Sequence, residues 1–187
     1  MLPLDELLAN WATRYYEAGL KKLLPKARGT KRPLGPWKHL QTHEPTLDEI
    51  KARFAVADGA DGICAVLNGT GLAVVDVDGS REHGRRLLAD AGVQIPDRYP
   101  RVITGSGHDH FWFRTNRRIG RHIRLLASGT AADTKAAIDL LGEGVVLLPP
   151  SVHPETGVAY QWGDQFFDTE KLASLPPLFY NLIEEST

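Results

Sequence analysis

A single cysteine, Cys64, is all that this chain of 187 residues carries. That excludes an internal disulfide and a metal centre built from several thiolates. Its neighbours Ile63 and Ala65 are apolar, which marks the thiol for ordinary burial rather than catalysis. A bias toward charge of one sign is missing too: 22 Lys and Arg face 23 Asp and Glu, a formal net charge of −1. No global excess therefore points to nucleic acid, although a basic cleft can sit on a neutral protein. No apolar run is long enough to span a bilayer and no secretory leader is evident, so a cytoplasmic setting without a membrane partner is expected. No tandem repeat or long low-complexity linker divides the chain. At this length one domain, or two tightly packed lobes, can bury a sizeable core.

What is there reads as mixed α/β. Pro3 to Gly19 has the apolar spacing of an opening helix, with Leu4, Leu7, Leu8, Trp11 and Tyr15 on its inward side and Gly19 as a stop. Leu20 to Leu24 is a candidate strand. Thr46, with Glu49 three residues later, caps a helix running to about Phe54. Strands are expected at Gly62–Leu67, Leu72–Val77, Arg101–Thr104, His110–Arg114, Ala137–Leu140 and Val145–Leu148, with a helix from Glu82 to Ala91.

The most informative stretch is LAVVDVDG, Leu72 to Gly79. Its apolar start reads as a buried strand. Side chains alternate along a strand, so Asp76 and Asp78 point to one side. Two adjacent carboxylates repel unless a cation lies between them; beside a divalent metal they become hard oxygen ligands. Taken alone, the same letters also describe a strand ending in an Asp-Gly turn.

Three further segments add to it. In TGSGHDHFWF, Gly105, Ser106 and Gly107 form a tight, amide-rich turn able to approach an anion. His108 and His110 fall on one side in an extended register, where an imidazole can donate to phosphate or ligate a metal. Phe111 and Phe113 suit the core, and Trp112 a ligand-side or second-core contact. The Lys-Ser or Lys-Thr pair that closes a P-loop is absent. In AIDLLGEGVVLLPPSVHP, Asp139 is a third candidate acidic ligand or a turn carboxylate. Ser151 and His153 in the following loop are candidates to hydrogen-bond a nucleotide or to hold the loop. Glu143 suits the turn or the rim. The proline-rich stretch ending at Trp37 carries Lys26, Arg28, Lys31 and Arg32, with Lys38 beyond, as cations able to receive phosphates. Arg81 and Arg85 share a helix face after the acidic pair and are further candidates.

In this order the segments resemble the primase–polymerase domain of replication proteins from plasmids, phages and integrated mobile elements, within the archaeo-eukaryotic primase superfamily. Lys31, Pro33 and Trp37 match a Lys-x-Pro loop and its following tryptophan. ICAVLNGTGLAVVDVDG is similar to the glycine-containing hairpin and first acidic motif. Ser106, Gly107 and His110 match the histidine motif, and IDLLGEGVVLLPPSVH the last acidic motif and its Pro-Pro-Ser-x-His loop. Two positions depart: His108 stands where a second glycine is common, and Leu141 where many members have arginine. The turn from Asp139 to Val145 is also one residue short.

The resemblance implies one catalytic domain over residues 1–187, with 1–61 an N-terminal α/β part and 62–165 most of the core around an RNA-recognition-motif-like palm. It implies Asp76, Asp78 and Asp139 as ligands of Mg2+ or Mn2+, and His110 as a catalytic group beside the incoming triphosphate. Lys31, Ser106, Gly107, His108, Ser151 and His153 would complete the nucleotide site. Arg28, Arg32, Lys38, Arg81 and Arg85 would contact nucleic acid. The expected partners are a single-stranded DNA template, a primer and nucleoside triphosphates. A replicative helicase is a further candidate, since no Walker A motif is present. The expected reaction is templated nucleotidyl transfer with release of pyrophosphate. The alternatives are a catalytically silent DNA-binding replication module and a metal-dependent nucleotide phosphohydrolase.

Overall fold

The computed structural model describes residues 4–130, 133–163 and 165–185, with side chains described outside 129–135. In chain order the elements are α1 (Leu4–Glu17), β1 (Leu23–Ala27), α2 (Leu47–Ala55), β2 (Ala60–Val66), β3 (Leu72–Gly79), α3 (Arg81–Asp90), β4 (Arg101–Ile103), β5 (Asp109–Arg114), β6 (Arg121–Thr130), β7 (Asp133–Leu141), β8 (Val145–Leu148), β9 (Gln161–Trp162) and α4 (Pro177–Glu185). They build two open antiparallel sheets: a small one ordered β1-β2-β8 and a large one ordered β6-β7-β3-β5-β4-β9.

The opening helix stops where expected. Gly19 has φ +94, its N–H bonds Tyr16 O at 3.0 Å and Leu20 N–H reaches Tyr15 O at 2.9 Å, the paired bonds of a Schellman stop. Leu20 is spent on that stop, so the strand expected at Leu20–Leu24 begins only at Leu23. Pro25 is tolerated there because β1 is an edge strand and Pro25 turns its carbonyl toward Leu34 N–H, 2.8 Å away. Leu4, expected inward, is 45% exposed; Ala12 takes an inward position beside Leu8 and Tyr15. Pro3 lies outside the described residues. The capping box of α2 forms as expected, with Thr46 N–H to Glu49 Oε2 at 2.7 Å and Glu49 N–H to Thr46 Oγ1 at 3.3 Å.

Strand β3 is central in the large sheet and buried on both faces for most of its length, which explains its unbroken apolar start. Ala73, Val75 and Val77 face a core with Phe111, Phe113, Ile138 and Leu140, closed by Leu88 of α3 and Phe179 of α4. Val74, Trp112 and Leu141 face the other way, into the core built around the small sheet. Trp112 is therefore a second-core residue rather than a ligand-side one. Helix α3 approaches β3 closely because of Gly84: a Cβ there would lie 2.1 Å from Val77 Cγ1. Asp76 and Asp78 continue the face of Val74 past the point where the small sheet covers it. The alternation that buries the strand thus delivers both carboxylates to the rim between the sheets.

The small sheet also fixes the Pro-Pro-Ser-x-His loop. Ser151 is fully buried; its Oγ accepts from Ile63 N–H at 2.8 Å and donates to Ile63 O at 3.0 Å. Both bonds of the hydroxyl are committed to β2, so Ser151 holds the loop instead of facing a ligand. Ser151→Ala should leave two buried backbone groups unsatisfied and cost about 1–3 kcal/mol. Chemical denaturation would measure it; an unchanged midpoint would mean the Ile63 bonds carry no stability.

Candidate active site

Directly opposed residues of an antiparallel pair share a face. In the large sheet one such row runs His110, Asp76, Asp139, because Asp76 pairs with His110 on β5 and with Asp139 on β7. On β6 the row meets an irregularity between His122 and Leu126. There Arg124 has φ +53, a conformation uncommon outside glycine, and its N–H donates to Asp139 Oδ1 at 2.7 Å. Asp78 stands two positions along β3 on the same face. Asp76, Asp78 and Asp139 each bring a carboxylate oxygen within 4.8 Å of the others. Three hard anionic oxygens at this spacing could hold a divalent metal ion.

The carboxyl groups are in unequal surroundings. Burial raises the pKa of Asp139 above its ordinary value, the Arg124 amide opposes this, and Asp76 and Asp78 add to the rise. Burial pushes Asp76 upward as well, but His110, then His108 and Arg121, outweigh it and the carboxyl lies below its ordinary value. Asp139 thus carries charge that its neighbours repel, the condition a divalent cation relieves.

Histidines line the other flank. His110 Nε2 lies 3.3 Å from Asp76 Oδ1 and His108 Nδ1 lies 2.9 Å from Asp78 Oδ1. His110 Nδ1 is buried with no hydrogen-bond partner among the described residues. His153 is buried, and its Nδ1 accepts from the amides of Glu155 and Thr156, both at 3.3 Å. That assigns its proton to Nε2, which is buried and unpartnered among the described residues. Burial and then Lys31 lower the His153 pKa and favour this neutral ring. Tyr160 joins the two histidines, stacked on His153 at 6.2 Å and edge-on to His110 at 6.3 Å. Burial, with Asp76 and Asp78 behind it, pushes its phenol up to about 12, so the hydroxyl keeps its proton. Sequence reasoning missed Tyr160; its position in a short polar loop carried no signal of function.

The turn from Thr104 to His108 spends three of its amides internally: Thr104 N–H bonds His108 O at 2.8 Å, Gly107 N–H bonds Thr104 O at 2.9 Å and His108 N–H bonds Thr104 Oγ1 at 3.0 Å. Ser106 is exposed, 3.0 Å from Thr104 Oγ1 through its hydroxyl. Lys26, read as a possible phosphate contact, is instead fully buried. It pairs with Asp61 and donates to Thr30 O at 2.9 Å, so it braces the basic loop from within. Arg28, Lys31, Arg32 and Lys38 are exposed and make no ion pair among the described residues. Trp37 packs against the small-sheet core. Arg81 is drawn to Asp109 at 3.0 Å, which Arg101 shares at 3.3 Å, and Arg85 to Asp97 at 3.5 Å.

Leu141 is buried. Its neighbour across the β6–β7 ladder is Arg121, which the sequence reading passed over. A groove of about 650 Å³ lies toward the opposite end of β3, lined in part by Asn68, Leu72, Arg117, Arg118 and Gly142. Chemistry is read from the acid row, not from this groove, because among the described residues the cluster of metal-ligating groups is Asp76, Asp78 and Asp139, none of which lines it. No helix among the described residues is long and apolar enough to cross a membrane. A family model described as bifunctional DNA primase/polymerase, N-terminal, matches residues 12–178. No curated protein matches the chain.

Proposed function

The chain belongs to the family of bifunctional DNA primase/polymerase N-terminal domains, and on that premise we propose that it makes or extends nucleic-acid primers by template-directed nucleotidyl transfer. The observation that carries this is the sheet row in which Asp139 and Asp76 stand beside His110. The six-stranded sheet serves as the palm. Asp76, Asp78 and Asp139 hold the divalent ion, Mg2+ or Mn2+. When bound, that ion supplies positive charge against the triphosphate and the attacking 3′ oxygen. His110 and His108 turn imidazole nitrogens toward the phosphates, with Lys31 on its exposed loop adding long-range attraction. His153 offers its Nε2–H, unpartnered among the described residues, to the same anion. Arg28, Arg32 and Lys38 attract the template, and the open rim between the sheets suits a polymer better than an enclosed small molecule.

One observation favours a second reading, a catalytically silent DNA-binding replication module: His108 already engages Asp78 at 2.9 Å. A single experiment separates the two. Purified protein is incubated with primed and unprimed single-stranded templates, each nucleotide class, and either metal. Templated product and pyrophosphate are expected; no product under every condition, for the parent and for His108→Gly, would leave only the silent module.

A further inference from the structure

We propose that Arg121 grips the phosphate backbone of the strand being extended, within about two nucleotides of its 3′ end. The proposal rests on the polymerase reading above and adds a residue and a direction to it. Across the large sheet the order of strands sets the order of chemistry: β6, then Asp139 on β7, Asp76 and Asp78 on β3, and His110 on β5. The groups suited to a triphosphate (His108, His110, His153 and Lys31) gather on the β5 flank. In-line displacement at phosphorus sets the attacking oxygen and the departing pyrophosphate on opposite sides. If pyrophosphate leaves toward the histidines, the attacking strand arrives from the β6 flank.

That flank is basic and open. Residues 117–124 contain Arg117, Arg118, Arg121 and Arg124, and β6 is an edge of its sheet. Arg117 is held by Glu184 at 2.8 Å and Arg118 by Glu143. Arg124 gives its backbone amide to Asp139. Arg121 differs from Arg117 and Arg118. It is exposed, makes no ion pair among the described residues, and pairs with Leu141, so its side chain leaves the sheet on the face of Asp139. Leu141 is two residues from Asp139, a step of about 7 Å along the strand, or about two nucleotide rises of 3.4 Å. Just beyond Arg121 and Leu141, Ile119 and Gly142 line the 650 Å³ groove, a continuation of the same path. A guanidinium standing between acid row and groove, near carboxylates but bound to none among the described residues, is suited to a phosphodiester.

The test compares the parent with Arg121→Ala and Arg121→Lys in steady-state extension and in equilibrium binding of a fluorescent primed template across a salt series. Arg121→Ala should raise KM for primed template about tenfold and leave KM for the nucleotide unchanged. It should also lower the slope of log affinity against log salt by about 1, as loss of one phosphate contact does. Arg121→Lys should restore that slope, which a purely structural role would not predict. A rise in nucleotide KM alone, or an unchanged salt slope, overturns the assignment. If the parent incorporates nothing, the polymerase reading fails while the binding series still decides Arg121. A parent that does not bind primed template overturns both.

Discussion

Asp139→Asn should reduce templated incorporation by about a thousandfold, roughly 4 kcal/mol of lost stabilisation, without destabilising the metal-free protein. The first half follows from removing one of three carboxylates whose oxygens lie within 4.8 Å of one another. The second follows from the sign of its pKa shift. Burial, then the charges of Asp76 and Asp78, hold the Asp139 carboxyl above its ordinary value despite the Arg124 amide. A carboxylate raised in the folded state opposes folding above its unfolded pKa, and the penalty fades as pH falls and the group takes up a proton. Asparagine keeps an acceptor for Arg124 N–H and removes the charge, so Tm at neutral pH should stay equal or rise. Saturating Mn2+ should stabilise the parent: at a hundred times Kd the gain is about 2.7 kcal/mol, about 5–10 °C for a chain of this size. The variant should lose most of that gain. Primer-extension rates measure the first half, and thermal melts with and without Mn2+ the second. Parental turnover in the variant, or an undiminished Mn2+ shift, removes Asp139 from the metal site.

The parts of the fold that were legible were those in which one local force dominates. The capping box of Thr46 and Glu49, the Gly19 stop and the alternation through Asp76, Val77 and Asp78 are each fixed within a few residues, and each forms as read. Strand β6 was not legible. It lies at a sheet edge, and the irregularity around Arg124 breaks the alternation of its apolar residues Ile123, Leu125 and Leu126, so no regular period of two marks it. The early part of β7 was lost for a related reason: its Asp133–Thr134 end pairs only with β6. Helix α4 did carry a signal that went unread, with Pro177 at its first position and Leu178, Phe179, Leu182 and Ile183 at helical spacing. At the site, sequence brought together the three aspartates and His110 through motif order, but their common row depends on long-range register. For the same reason the cations sorted differently from their spacing. Lys26 went into a buried pair with Asp61, Arg81 went to Asp109, and Arg121 was left open beside the acids. Which basic residue is free is settled by partners distant in sequence.

His110→Ala should weaken use of the incoming nucleotide by about 10–100-fold in KM, the 1.5–3 kcal/mol expected for a hydrogen bond to a charged group. The ring touches Asp76 through Nε2 at 3.3 Å and has its other nitrogen buried without a partner among the described residues. The position is costly unless a ligand or water completes it. A second consequence separates His110 from a passive wall of the site. Burial would raise Asp76, and His110 heads the charges that bring it below its ordinary value. A depressed carboxyl adds stability that is present above its unfolded pKa and lost as pH falls through the folded value. Without His110 the Asp76 pKa climbs, so the protein should lose metal binding and turnover at a higher pH as acid is added. His110→Gln, which keeps a donor but carries no charge, should recover part of the nucleotide KM while retaining the displaced acid limb. Nucleotide titrations at fixed template and metal, repeated across pH on variants checked by circular dichroism, measure both effects. A folded His110→Ala with parental KM and a parental acid limb would show that neither the triphosphate nor Asp76 depends on the imidazole.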